Sequence, residues 1–350
     1  RFAFLYRAAI DACTRLEWIP DILHVHDWHA APALAYRRSG IIDPRIKKTG
    51  GILTIHNLEY RGFFPLHETS CTGLDFNDLL GTSKSRRAFS FLLSGLRSAD
   101  RITTVSPTYL AEIMQDENSE FGDAVRDSTP PALGILNGID YHIWNPASDP
   151  HLPYNFSALD MAGKRGCKEA IQKQLGLDVR PDLPLIGIVT RLVKQKGIEE
   201  LLKSPYRALE KICARIPVQI AVLGTGERWA EEELQALSAK YHNLNALITF
   251  NEETAHRIEA ASDFFLMPSR FEPCGLNQMY SMAYGTLPIV TPTGGLADTV
   301  QPYNADSGDG TGFFIKHSSP TGIYHAVKQA ALVWETRKEH IQNMIGSAMA

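Results

Sequence analysis

Arg270-Phe271-Glu272-Pro273-Cys274-Gly275-Leu276-Asn277-Gln278 follows the apolar run Asp263-Phe264-Phe265-Leu266-Met267 and leads into Gln278-Met279-Tyr280-Ser281-Met282-Ala283-Tyr284. The apolar run reads as a buried strand and the following run as a helix. A carboxylate, Glu272, is therefore expected on a Pro- and Gly-shaped turn between the C-terminal end of a strand and a helix start. In open α/β sheets ligands bind at that end of the strands. The N–H groups and dipole of a helix start favour phosphate. A glutamate beside such a start is an odd local choice unless it serves another group, such as sugar hydroxyls. The pattern points to a nucleotide-sugar site.

Working outward, short β-like runs alternate with longer helix-like runs. Strands are expected at residues 22–26, 52–55, 101–105 and 133–136, and again at 185–190, 218–223, 246–250, 264–268 and 287–290. Helices are expected at 30–38, 84–98, 107–115, 164–175, 197–214, 228–241, 254–261 and 319–337, and another where the chain opens, with Phe2, Leu5, Ala9, Ala12 and Leu16 near helical spacing. This alternation predicts an α/β protein with parallel sheets covered on both faces. At 350 residues the chain exceeds one ordinary core. Asn145-Pro146, Asp149-Pro150 and Leu152-Pro153 break regular structure in a linker expected at 137–153. The expected domains are 1–144 and 145–350.

The composition, 44% hydrophobic and 21% charged, is that of a globular protein. The net charge of −4 and the lack of a basic run argue against nucleic acid. No apolar stretch reaches the ~18–20 residues of a membrane span. The five cysteines are scattered without a CxxC pair, which disfavours a disulfide framework or zinc ribbon and favours a reducing compartment. Anionic ligands must then be held by local cations and helix starts.

Several further stretches sit at expected strand ends. Thr190-Arg191-Leu192-Val193-Lys194-Gln195-Lys196-Gly197 places Arg191 and Lys196 where they could clamp a diphosphate; taken alone it is equally a solvated basic loop. Leu223-Gly224-Thr225-Gly226-Glu227 is a tight turn, too incomplete for a dinucleotide fingerprint. Gly294 and Gly295 can face sugar or phosphate or form a structural turn. Phe250, at the end of the strand expected at 246–250, could stack on a base, although a lone Phe there is more often core. His24, His26, Asp27 and His29 lie close in sequence but lack zinc-site spacing, so no metal is expected. His29 reads better as a polar group over a cleft. His56, Asn57 and Tyr60 follow another strand and offer groups for carbohydrate hydroxyls, as does Asn137.

Together these residues resemble bacterial-type glycogen synthases and the similar starch synthases, glycosyltransferase family 5 of the GT-B class. The resemblance rests on His26-Asp27-Trp28-His29-Ala30, Thr54-Ile55-His56-Asn57-Leu58, Ile135-Leu136-Asn137-Gly138-Ile139-Asp140, Thr190-Arg191-Leu192 with Lys196-Gly197, Ser269 to Leu276, and Gly285-Thr286-Leu287-Pro288 with Thr293 to Val300. It implies two Rossmann-like domains facing a cleft whose closure excludes water. It implies retaining transfer of glucose from ADP-glucose to the non-reducing end of an α-1,4-glucan, without a cofactor. By similarity Arg191 and Lys196 bind the donor diphosphate, and Glu272 with Cys274, Gly275, Leu276 and Asn277 holds glucose and phosphate. His29 and Asn137 lie by the glucose, Phe250 matches the base-stacking position, and His56, Asn57 and Tyr60 fall on the acceptor side.

Retaining transferases of the wider class often carry a second Glu eight positions after the first. Here that position is Tyr280, as in glycogen and starch synthases. The family's Lys-x-Gly-Gly-Leu loop is expected before Arg1, so the first domain is expected to be incomplete and the chain by itself inactive. The end after Ala350 is expected to be cut short as well. A sucrose- or trehalose-forming GT-B enzyme and a catalytically silent glucan-binding scaffold are the alternatives. The compartment implied is the bacterial cytoplasm, or the plastid stroma for a plant or algal source. Nothing in the sequence sets an oligomeric state.

Overall fold

The computed structural model describes residues 1–75, 79, 88–203 and 205–350. The chain divides into two compact units, Arg1–Asn137 and Gly138–Ala350. This division falls before the 144/145 boundary expected from the prolines. The reason is packing. Asp149 is buried, and Leu152 and Phe156 join Cys167, Ile171 and Tyr284 in a core cluster of the second unit.

In the first unit β1 (Ile22–His26), β2 (Gly50–Ile55), β5 (Arg101–Thr104) and β6 (Leu133–Gly134) form a parallel sheet in the order β1-β2-β5-β6. β3 (Phe63–Pro65) and β4 (Ala88–Ser90) form a small antiparallel pair not foreseen from the sequence. Part of the helix expected at 84–98, residues 84–87, lies outside the described residues. The rest is β4 followed by the helix Phe91–Ser98, which starts where Ser90 accepts a hydrogen bond from the Leu93 N–H. The helix expected at 30–38 is two, Asp27–Ala30 and Pro32–Ser39, and Glu120–Arg126 is a helix with no strong apolar period to announce it.

In the second unit β7 (Leu185–Val189), β8 (Gln219–Leu223), β9 (Leu244–Leu247), β10 (Phe264–Met267), β11 (Leu287–Val290) and β12 (Phe313–Phe314) form one parallel sheet, ordered β12-β11-β10-β7-β8-β9. Both faces are apolar. Ile186, Ile188, Phe264 and Leu266 point to one core cluster, and Phe265, Met267 and Val290 to another, as period-two alternation requires. The helix expected at 197–214 is interrupted near Pro205 into Ile198–Leu202 and Ala208–Arg215. The helices Gly294–Thr299 and Lys338–Met349 complete the coverage. Strand order reverses between β7 and β10, the switch point at which ligands bind in doubly wound sheets.

Candidate active site

The loops after β7 and β10 carry the two sequence motifs, so the topology brings them together at that switch point. The β7 loop is fixed by its neighbour: Leu192 N–H donates to Thr225 O at 2.8 Å and Glu227 N–H to Leu192 O at 2.8 Å. The GxG turn after β8 is thus a backbone brace for the basic loop. Gly197 ends the loop at φ +75°, and a Cβ there would lie 1.9 Å from Pro268 O. Only glycine allows the two loops this approach.

Glu272 is 5% exposed. Its Oε2 accepts from Lys196 Nζ at 2.6 Å and from Ser269 Oγ at 3.0 Å. A buried carboxylate needs such partners, and both bonds fall on one oxygen, which leaves Oε1 for a ligand. Arg270 secures the same pair of loops. Its N–H donates to Gln195 O at 2.9 Å, while its guanidinium meets Glu199 at 2.7 Å and Glu200 at 2.6 Å. Arg191 is exposed, with a long 3.4 Å bond to Gln195 Oε1. A cavity of about 170 Å³ is lined by Thr190, Arg191, Lys196, Ser269 and Asn277 among others. The basic loop is therefore a constructed wall, with Lys196 paired and Arg191 open to a ligand.

Gly294 and Gly295 form the structural turn that the sequence left open beside a ligand-facing one. Gly295 N–H donates to Glu272 O and Pro273 O, both at 3.1 Å. A Cβ on Gly294, whose φ is +45°, would lie 2.0 Å from Glu272 O. The pair seats its helix directly on the glutamate loop, and the Gly295 N–H is spent on that loop.

Cys274 is buried and Gly275 takes φ +73°. Leu276 is partly exposed and precedes the helix Asn277–Ala283 without a side-chain cap. Phe250 is corrected in position: β9 ends at Leu247, because the strand pairs with β8 only from Leu244 to Leu247. Phe250 lies in the following loop at 90% exposure, just before Asn251, whose side chain caps the next helix. It is not a core ring.

In the first unit His29 lies on the short helix after β1 and packs against Trp28 and, edge-on, against Phe2. Asp27 holds φ +56°, and its Oδ1 accepts from His56 N–H at 2.7 Å and Asn57 N–H at 3.3 Å. The ends of β1 and β2 are thereby tied together. His26 Nδ1 and His56 Nε2 are 2.9 Å apart, and His24 Nε2 reaches Thr54 Oγ1 at 2.8 Å. Burial comes first, and the neighbouring rings of His26 and His56 second, in lowering the pKa values of His24 and His26. Tyr60 is half exposed, and Asn137 ends this unit. Among the described residues no group of three or more His, Cys, Asp or Glu side chains is placed to hold a metal ion.

The chain is similar to known proteins. Residues 1–126 match the family described as starch synthase catalytic domain, and residues 168–345 match glycosyl transferases group 1. The chain is 45% identical to a glycogen synthase of Treponema denticola, across 100% of this chain and 72% of that protein. The chain belongs to the glycogen synthase and starch synthase family. Membership makes it a glucosyltransferase of the GT-B fold. The catalytic domain of starch synthase IV from Arabidopsis thaliana, bound to ADP and acarbose, superposes with a TM-score of 0.90 at 32% identity, covering 100% of this chain and 73% of that one. A sucrose-phosphate synthase from Thermosynechococcus elongatus, at TM-score 0.59 and 16% identity over 99% of this chain and 73% of that one, shares the fold alone.

Within this family's site, sequence reasoning missed Ser269, Arg270, Glu199 and Glu200. Arg270 stood inside the quoted motif, but its partners lie about 70 positions away in sequence. No local pattern links them.

Proposed function

We propose that the chain transfers glucose from ADP-glucose to the non-reducing end of an α-1,4-glucan with retention, and that it needs no cofactor. The observation that carries this reading is the Lys196–Glu272 pair, 2.6 Å apart at the switch point, with the exposed Arg191 beside it. Arg191 and Lys196 take the diphosphate. Glu272, through its open oxygen, and the backbone from Cys274 to Asn277 take glucose and phosphate. Gly294 and Gly295 support that loop from beneath. His29 and Asn137 serve the glucose from the first unit, His56, Asn57 and Tyr60 the acceptor, and Phe250 the base. The ADP and acarbose bound to the starch synthase IV catalytic domain support an adenine nucleotide and an α-glucan as the ligands.

In the reaction the bond from the glucose anomeric carbon to the diphosphate breaks, and its electron pair leaves on the phosphate oxygen. The acceptor hydroxyl oxygen bonds to the same carbon from the same face. Its proton passes to the departing phosphate oxygen. Lys196 and Arg191 stabilise the charge that develops there, and such preorganised charge is the largest single source of catalysis in many enzymes. The bacterial relatives support the cytoplasm as compartment.

The test is an assay of the full-length protein with glycogen and with ADP-glucose or UDP-glucose, reading nucleotide release. ADP-glucose should be preferred, and glycogen should outperform small sugars. Preference for UDP-glucose would reject the donor assignment. Glucan binding without nucleotide release would favour the silent scaffold.

A further inference from the structure

Tyr280, at the position where the wider class often carries a second glutamate, is engaged in a contact that no stretch of sequence announces. Its ring lies on Trp144, with centroids 3.7 Å apart and planes 6° from parallel. The other face of Trp144 lies on His256, at 3.8 Å and 11°. His256 Nδ1–H donates to Asp149 at 2.7 Å, and Tyr284 donates its hydroxyl to the same buried carboxylate. Asn277 Nδ2 donates to Glu259 Oε1 at 3.3 Å. Asn277, Tyr280 and Tyr284 are spaced as one helical face. That face is held against the segment bearing Trp144 and Asp149 and against the helix Glu252–Ala261.

The opposite side holds the loop. Gln278 Nε2 donates to Cys274 O at 3.0 Å, Gly275 O at 3.1 Å and Thr299 Oγ1 at 3.1 Å. The helix Asn277–Ala283 has only seven residues and no side-chain cap at its start. A helix that short takes its orientation from side-chain contacts, not from its own hydrogen bonds.

We infer that Tyr280 is a positioning residue for the donor site: stacked on Trp144, it sets the rotation of this helix and thereby the placement of Asn277 and of the Glu272 loop. The inference rests on the donor assignment above.

The test compares Tyr280→Phe, Tyr280→Leu, Tyr280→Ala, Trp144→Ala and the Tyr280→Ala/Trp144→Ala pair with Lys196→Ala in the full-length protein. Donor KM, acceptor KM, kcat and the thermal midpoint are read for each. Tyr280→Phe should behave as the parent. Tyr280→Leu, Tyr280→Ala and Trp144→Ala should raise donor KM about three- to tenfold, the worth of an aromatic pair, with acceptor KM unchanged. The double variant should be no worse than the worse single one, because both remove the same stack. A lower thermal midpoint with donor KM within about twofold of the parent would make the stack mere packing and overturn the inference. If Lys196→Ala keeps full turnover, the donor-site assignment itself falls.

Discussion

Lys196 Nζ lies 2.6 Å from Glu272 Oε2 across the switch point of the second sheet, with the glutamate side chain 7% exposed and the lysine side chain 19% exposed. Removing either charge should remove preorganised stabilisation of the transition state. Lys196→Ala or Glu272→Ala is expected to lower kcat on the order of 10²–10³-fold. Nucleotide release at saturating glycogen measures it; near-normal turnover of both variants would refute the assigned roles.

The same pair predicts a stability pattern. Lys196→Met leaves the Glu272 carboxylate buried without its cation, which costs up to about 3–5 kcal/mol in fully buried pairs. Adding Glu272→Gln should recover most of that loss, because the neutral amide no longer needs a counter-charge. Urea unfolding of the single and double variants decides it. Equal destabilisation by both would show that the carboxylate does not depend on Lys196.

Glycine-to-alanine exchanges should sort by position. Gly294→Ala places a Cβ 2.0 Å from Glu272 O at φ +45°, and is expected to lower both stability and donor affinity. Gly346, in the helix Lys338–Met349, has nothing within 4 Å of its Cβ position. Gly346→Ala should raise stability by about 0.5–1 kcal/mol through helix propensity. Thermal melts and donor titrations of the two variants provide the contrast.

Phe250 predicts function without stability. Its ring is 90% exposed, so Phe250→Ala should shift unfolding by less than about 0.5 kcal/mol. Donor KM should rise about two- to tenfold if the ring stacks on the base. An unchanged KM would remove Phe250 from the donor site.

Lys164 supplies a pH dependence. It donates to Ala260 O, Tyr284 O and Thr286 Oγ1 at 2.9, 2.9 and 2.7 Å, and burial pushes its pKa from 10.5 down to about 7. Between those values the unfolded chain binds the extra proton, so this residue makes stability rise with pH from about 7 towards 10.5. Below about 7 its full burial penalty is present. Glu259, also fully buried and raised well above 4.5, contributes with the opposite sign, losing stability as pH climbs above 4.5. Lys164→Met should therefore flatten the alkaline rise in a series of melts across pH. An unaltered slope would contradict the burial assignment.

Much of this was legible in the sequence because parallel strands buried on both faces read as unbroken apolar runs. β11 begins and ends where Leu287–Val290 suggests, with all four residues buried, and β1 matches Ile22–His26 although that edge strand is largely exposed. β12 escaped because two residues, Phe313 and Phe314, make no run. β9 moved because Leu244 pairs with Ile220, which pulls the register N-terminal and leaves Phe250 outside. Lys196 and Glu272 were legible as chemistry, each at its own strand end. Tyr280 on Trp144, and Arg270 on Glu199 and Glu200, were not. Those contacts depend on how distant segments pack, and neither partner's local spacing encodes the other.

Lys196 and Glu272 lie 76 positions apart, and the chain between them runs out through β8 and β9 and back to β10. Phe250 lies on that excursion, whereas the charged pair brackets it. On the base-stacking role proposed for Phe250, substitutions in the loop after β9 should alter nucleobase preference while the Lys196–Glu272 pair stays in place. On those proposed roles, the recognition loop can vary apart from the charged pair within a single sheet.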